Sequence, residues 1–83
     1  MDKYYIIIFQ NTHEAMKAES ETIKQKIKAM VIPTPTYITK SCGISLRINI
    51  DDIEKIKELI SEEKINVKAI YFKDSTEVKL ITI

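Results

Sequence analysis

The chain has 83 residues, 45% hydrophobic and 30% charged, with a net charge of +1. A polypeptide this short buries only roughly 60% of its unfolded surface and supports one compact core, so the expectation is a single domain over residues 1–83. The apolar content argues against disorder, and the basic residues, 12 lysines and one arginine, are interspersed with acids from Lys3 to Lys79 and leave no cationic block for nucleic acid.

The longest apolar run, Tyr4 to Phe9, is strand-length and falls well short of the roughly 18 residues a membrane span requires. The N-terminus has no basic start followed by an apolar stretch of the signal-peptide kind. A cytoplasmic protein without membrane contact is expected.

Lys3 to Phe9 is rich in β-branched and aromatic residues on both alternating faces, which predicts a central first strand. Asn11 followed by Glu14 has the spacing of a capping box and starts a helix. Its expected apolar stripe is Met16, Ile23, Ile27 and Met30, with Ala15 and Ala18 alongside and Lys17, Glu21, Lys24 and Lys28 opposite. The helix must stop before Pro33. Val31 to Ile38, with Pro33 and Pro35 at alternate positions, suits only an edge strand.

Thr39 to Gly43 reads as a polar turn, after which Ile44, Leu46, Ile48 and Ile50 alternate with Ser45, Arg47 and Asn49 in the clearest strand pattern of the chain. Asp51 with Glu54 repeats the capping-box spacing, and Ile53, Ile56, Leu59 and Ile60 predict a second helix ending near Lys64, with Asn66 as a terminator. Val67 to Lys73 reads as a strand, Asp74-Ser75 as a turn, and Glu77 to Ile83 as a further strand in a hairpin. The order β-α-β-β-α-β with an extra C-terminal β segment predicts an α+β fold of ferredoxin-like sandwich type, with two helices on one face of an antiparallel sheet and the other face open.

Cys42 is the only cysteine and adjoins Gly43, the only glycine. It therefore has no partner for an internal disulfide. A glycine there can take positive φ or admit a close approach, leaving the neighbouring sulfur accessible on one side. Lys40 and Arg47 are the cations in position to favour a thiolate. The residues alone leave two readings open, a working thiol and a small buried cysteine closing the strand end.

Arg47 is the only arginine, and strand parity places it on the open face with Ser45 and Asn49, where a guanidinium can orient an anion or join a surface ion pair. His13, the only histidine, belongs to the first helical turn. One histidine and one cysteine do not make a metal site, and a cysteine–histidine pair is the weaker reading of His13. With one glycine the chain cannot build a phosphate loop, so no metal and no cofactor are expected.

Tyr5 to Phe9, Thr12-His13-Glu14-Ala15, Ile32-Pro33-Thr34-Pro35 and Ser41-Cys42-Gly43-Ile44-Ser45-Leu46-Arg47 together resemble a family of short bacterial proteins of unknown function described as selenium/sulfur carrier-like. The resemblance covers about residues 3 to 73. It implies that Cys42 accepts a persulfide or selenium atom and passes it between donor and acceptor proteins, with Ser41, Gly43, Arg47 and the Pro33 to Thr36 segment shaping the site. Two departures stand out: Thr36 replaces the basic residue usual after Pro-Thr-Pro, and the link from the first helix to Pro33 is short and lacks the usual glycine.

A carrier needs an accessible thiolate and a docking surface but no catalytic base, which suits one cysteine and little else. The alternative is a non-catalytic interaction or dimerisation module with a structural Cys42, using the open face or the C-terminal edge to pair with another subunit. A thiol redox enzyme is disfavoured, because no second cysteine resolves an intermediate.

Overall fold

The computed structural model describes residues 3–34 and 43–81. In chain order the elements are β1 (Tyr4–Ile8), α1 (Thr12–Lys24), β2 (Ala29–Pro33), β3 (Ile44–Asn49), a 3-10 turn (Ile50–Asp52), α2 (Ile53–Ser61), β4 (Ala69–Lys73) and β5 (Val78–Ile81). The protein is thus α+β, with, among the described residues, two helices and one five-stranded antiparallel sheet in the order β2-β3-β1-β4-β5.

The main core lies between the helices and one sheet face, while Ile6 and Ile8, also fully buried, point to the other. Ile7, Leu46, Ile48 and Ile70 from the three inner strands form one buried cluster with Ala15 and Ala18 of α1 and Ile53, Ile56 and Leu59 of α2. Each large aliphatic side chain so buried contributes about 1.5–3 kcal/mol as an upper estimate. The expected stripe on α1 needs correction. Its buried residues are Ala15, Ala18 and Thr22, while Met16 and Ile23 are 51% and 69% exposed. At about 100° per residue, Met16 lies a quarter-turn round from the Ala15 line. The helix buries its smallest side chains, and the Thr22 hydroxyl donates to the Glu19 carbonyl at 2.7 Å, which satisfies its polar group.

Asn11 caps α1, its side-chain oxygen accepting from the Glu14 N–H at 2.9 Å. The return arm of that box is replaced: Glu14 Oε2 is buried without a hydrogen-bond partner among the described residues. The helix ends at Lys24, well before Pro33, so Ile27 and Met30 are not helical. Lys26 takes φ 59°, and the N–H groups of Lys26 and Ile27 donate back to Ile23 and Thr22. This double-bonded left-handed ending favours glycine, and here lysine occupies it. Ile27, just past the turn, is buried.

The early helix end lets β2 begin at Ala29 rather than Val31, at the sheet edge as two prolines require. Its expected continuation over 35–38 lies outside the described residues. The second capping box does not form. Asp51 falls inside the 3-10 turn, and Asp52, the residue that caps α2, makes no side-chain capping bond. α2 stops at Ser61 instead of near Lys64 because Glu63 repeats the α1 ending, with φ 61° and bonds from Glu63 and Lys64 to Ile60 and Leu59.

The β4–β5 hairpin forms as expected, tied by Asp74, whose Oδ1 accepts from the N–H groups of Thr76 and Glu77, both at 2.8 Å. No helix among the described residues is long and apolar enough to cross a membrane.

Candidate functional site

Cys42 itself, with Pro35, Lys40 and Ser41, lies outside the described residues, and so does Thr36. What the structure places is the frame on either side. β2 and β3 run antiparallel with Pro33 opposite Ile44 and Ile32 opposite Ser45, so the Pro33 strand and the Gly43 end are brought together. Just beyond the paired residues the Thr34 N–H donates to the Gly43 carbonyl at 3.1 Å. The hydroxyls of Thr34 and Ser45 share a hydrogen bond of 2.6 Å.

Ser45 is fully buried, which makes that bond matter: a hydroxyl taken out of water without a partner costs about 1–3 kcal/mol. The two bonds close the base of the segment that carries Cys42. Residue-by-residue reading missed both hydroxyls. The available signal was the threonine between the two prolines.

Gly43 is exposed, and it does not use positive φ. No glycine among the described residues has positive φ, and a Cβ added at Gly43 meets none of their atoms within 4 Å. Among the described residues the space beside it is open on that side.

Arg47 lies elsewhere. It is three residues along β3 from Ile44, about 10 Å at the usual rise. Its guanidinium carbon sits 4.2 Å from the centre of the Tyr4 ring, and Tyr4 is in register with Asn49, further still from Gly43. The positive charge therefore leans away from the Gly43 end. Parity had placed Arg47 on the side of the sheet away from the helices, and the register agrees, but its partner there is an aromatic face. Among the described residues it joins no ion pair.

His13 is exposed on the first turn of α1, and the cysteine of the pair considered for it is outside the described residues. Among the described residues no group of three His, Cys, Asp or Glu side chains is placed to hold a metal ion.

No curated protein and no solved structure matches the chain. Residues 4–72 match the family described as "Putative Se/S carrier protein-like". That span runs from the start of β1 to the penultimate residue of β4, takes in the Pro33 strand, the Thr34–Ser45 closure and Arg47, and leaves β5 outside. The chain belongs to this selenium/sulfur carrier-like family.

Proposed function

We propose that the protein is a carrier that holds a sulfur or selenium atom on Cys42 and delivers it to a partner protein, without catalysing a reaction of its own. Family membership supports the class of cargo and the existence of partners. The structural observation that carries the reading is the closure at Thr34, which bonds Gly43 through the backbone and Ser45 through the hydroxyl. It anchors both ends of the Cys42 segment on the sheet edge, and the open space beside Gly43 leaves room for a donor to approach.

In the transfer step the Cys42 thiolate attacks the outer sulfur of a donor persulfide. A new S–S bond forms, the donor's S–S bond breaks, and the donor leaves as a thiolate, so no external oxidant or reductant is consumed. Release to an acceptor thiolate is the same exchange in reverse order. Pro33, Pro35, Lys40 and Ser41 flank Cys42 in sequence, and Lys40 is the candidate cation left once the Arg47 charge leans the other way. A thiol that cycles between free and loaded forms suits a reducing compartment, which is why we place the protein in the cytoplasm. The strand order β2-β3-β1-β4, with both helices over one face, supports the ferredoxin-like reading, with β5 added beside β4 and a single domain over 1–83.

The test is intact mass after incubation with a cysteine desulfurase and cysteine, with and without reductant. A reducible gain of one sulfur atom, lost in Cys42→Ser, is the expected result. An unmodified Cys42 that also resists alkylation would sink the proposal.

A further inference from the structure

Among the described residues, the sheet face turned away from the helices carries cations and apolar groups but no carboxylate. Strand alternation and the register place Tyr4, Met30, Arg47, Tyr71, Lys73 and Leu80 on it. Every described Asp and Glu lies instead on α1, on the 3-10 turn and α2 with the turn after it, or in the β4–β5 turn. The carboxylate next to this face in sequence, Asp74, is held in its own turn by the N–H groups of Thr76 and Glu77. Among the described residues the carboxylates are thus kept off this face, while lysines occur both on it and among the acids of the helices.

The cations on this face are close together. Arg47 from β3 and Lys73 from β4 approach the Tyr4 ring of the strand between them, at 4.2 Å and 5.9 Å from its centre. Neither joins an ion pair with a described residue. A cavity of about 440 Å³ beside Arg47 is also lined by Lys28, Met30 and Asn49. Apolar side chains flank the charged centre on the outer strands, Met30 on β2 at 57% exposure and Leu80 on β5 at 60%. Cations held near one another without counter-charges among the described residues attract an acidic partner, and exposed apolar groups around them add area that gains by leaving water.

We propose that this face docks a partner protein through a segment in which acidic side chains, meeting Arg47 and Lys73, are flanked by apolar ones that cover Met30 and Leu80. Charge complementarity selects this occupant over a second copy of the chain, because stacking two such faces sets Arg47 and Lys73 against like charges. The inference stands whether or not Cys42 carries an atom.

The experiment is an NMR titration of the ¹⁵N-labelled protein with a synthetic capped peptide of alternating glutamate and leucine, beside its lysine–leucine counterpart and an oligothymidine of similar length. Saturable shifts on β1, β3 and β4 around Tyr4, Arg47 and Lys73 are expected with the acidic peptide only. Arg47→Gln and Lys73→Gln should each weaken binding roughly three- to tenfold and added salt should weaken it further, while Arg47→Lys retains most of it. Equal response to the lysine peptide, tighter binding of the oligonucleotide, shifts confined to the helices, or unchanged affinity in both glutamine variants would overturn the proposal. So would concentration-dependent shifts of this face in the protein alone, which would assign it to a homodimer. None of these readouts involves sulfur loading, so failure here is separable from failure of the carrier reading.

Discussion

The hydroxyl oxygens of Thr34 and Ser45 lie 2.6 Å apart, one on the residue following the edge strand β2 and the other fully buried in β3. Neither residue is notable in the sequence, yet the bond joins the two ends of the segment that holds the only cysteine. Ser45→Ala is expected to destabilise the protein by about 1–2 kcal/mol, because the half-buried Thr34 hydroxyl loses its partner. In a double-mutant cycle with Thr34→Val the effects should fall short of additive by about 1 kcal/mol, measured by urea unfolding. Additive losses would show that the two hydroxyls do not interact.

Lys26 and Glu63 end the two helices in the same left-handed turn, at φ 59° and 61°. A side chain at such a position crowds the backbone, a cost of about 1 kcal/mol that glycine avoids. Lys26→Gly and Glu63→Gly are each expected to raise the urea midpoint by the equivalent of about 0.5–1 kcal/mol. The two ends lie on different helices, so the gains should add. A lower midpoint in either variant would contradict the reading of these turns.

Gly43 needs neither positive φ nor the room its missing side chain leaves among the described residues. Gly43→Ala should therefore fold with unchanged stability or gain up to about 1 kcal/mol through a less flexible unfolded chain. If the open space admits the sulfur donor, the same variant should load more slowly in the desulfurase mass assay despite its intact fold. Equal loading rates would remove Gly43 from the site.

Asp74 has its acidity strengthened, mainly by the backbone N–H of Thr76, then by that of Glu77 and the Thr76 hydroxyl, so its pKa lies below the ordinary 3.8. A carboxyl whose folded pKa is depressed contributes stability that is fully present above its unfolded value and is lost as pH falls through the folded one. Asp74→Asn keeps the accepting Oδ1 but no charge. Its unfolding midpoint should thus depend less on pH than the wild type's across the region below about pH 4. Parallel curves for the two proteins would show that Asp74 is not the group responsible.

Much of the fold was legible in the sequence because period and punctuation are local properties. The two-residue alternation from Ile44 to Asn49 marked β3, the paired prolines marked an edge, and Asp74-Ser75 marked the hairpin turn. The α1 stripe misled because large apolar residues at near-helical spacing were taken as the inward face. In the folded chain the sheet selects Ala15, Ala18 and Thr22 instead, and the left-handed turn at Lys26 removes Ile27 and Met30 from the helix. The Asp51 capping box failed for a related reason: the 3-10 turn shifts the helix start to Ile53.

The sequence by itself determined that one thiol stands beside one glycine at the head of a strand, and that its neighbourhood resembles a carrier family, because both are matters of residue identity and order. Only the tertiary structure decided what that thiol's frame consists of. Strand pairing across roughly ten residues of intervening chain is what brings Thr34 to Ser45, and the register between β1 and β3 is what turns the Arg47 charge onto Tyr4 and away from Gly43. The same holds for the cationic sheet face. Helices and turns carry every described carboxylate and the strands none, while the register of β3, β1 and β4 is what gathers Arg47 and Lys73 around Tyr4.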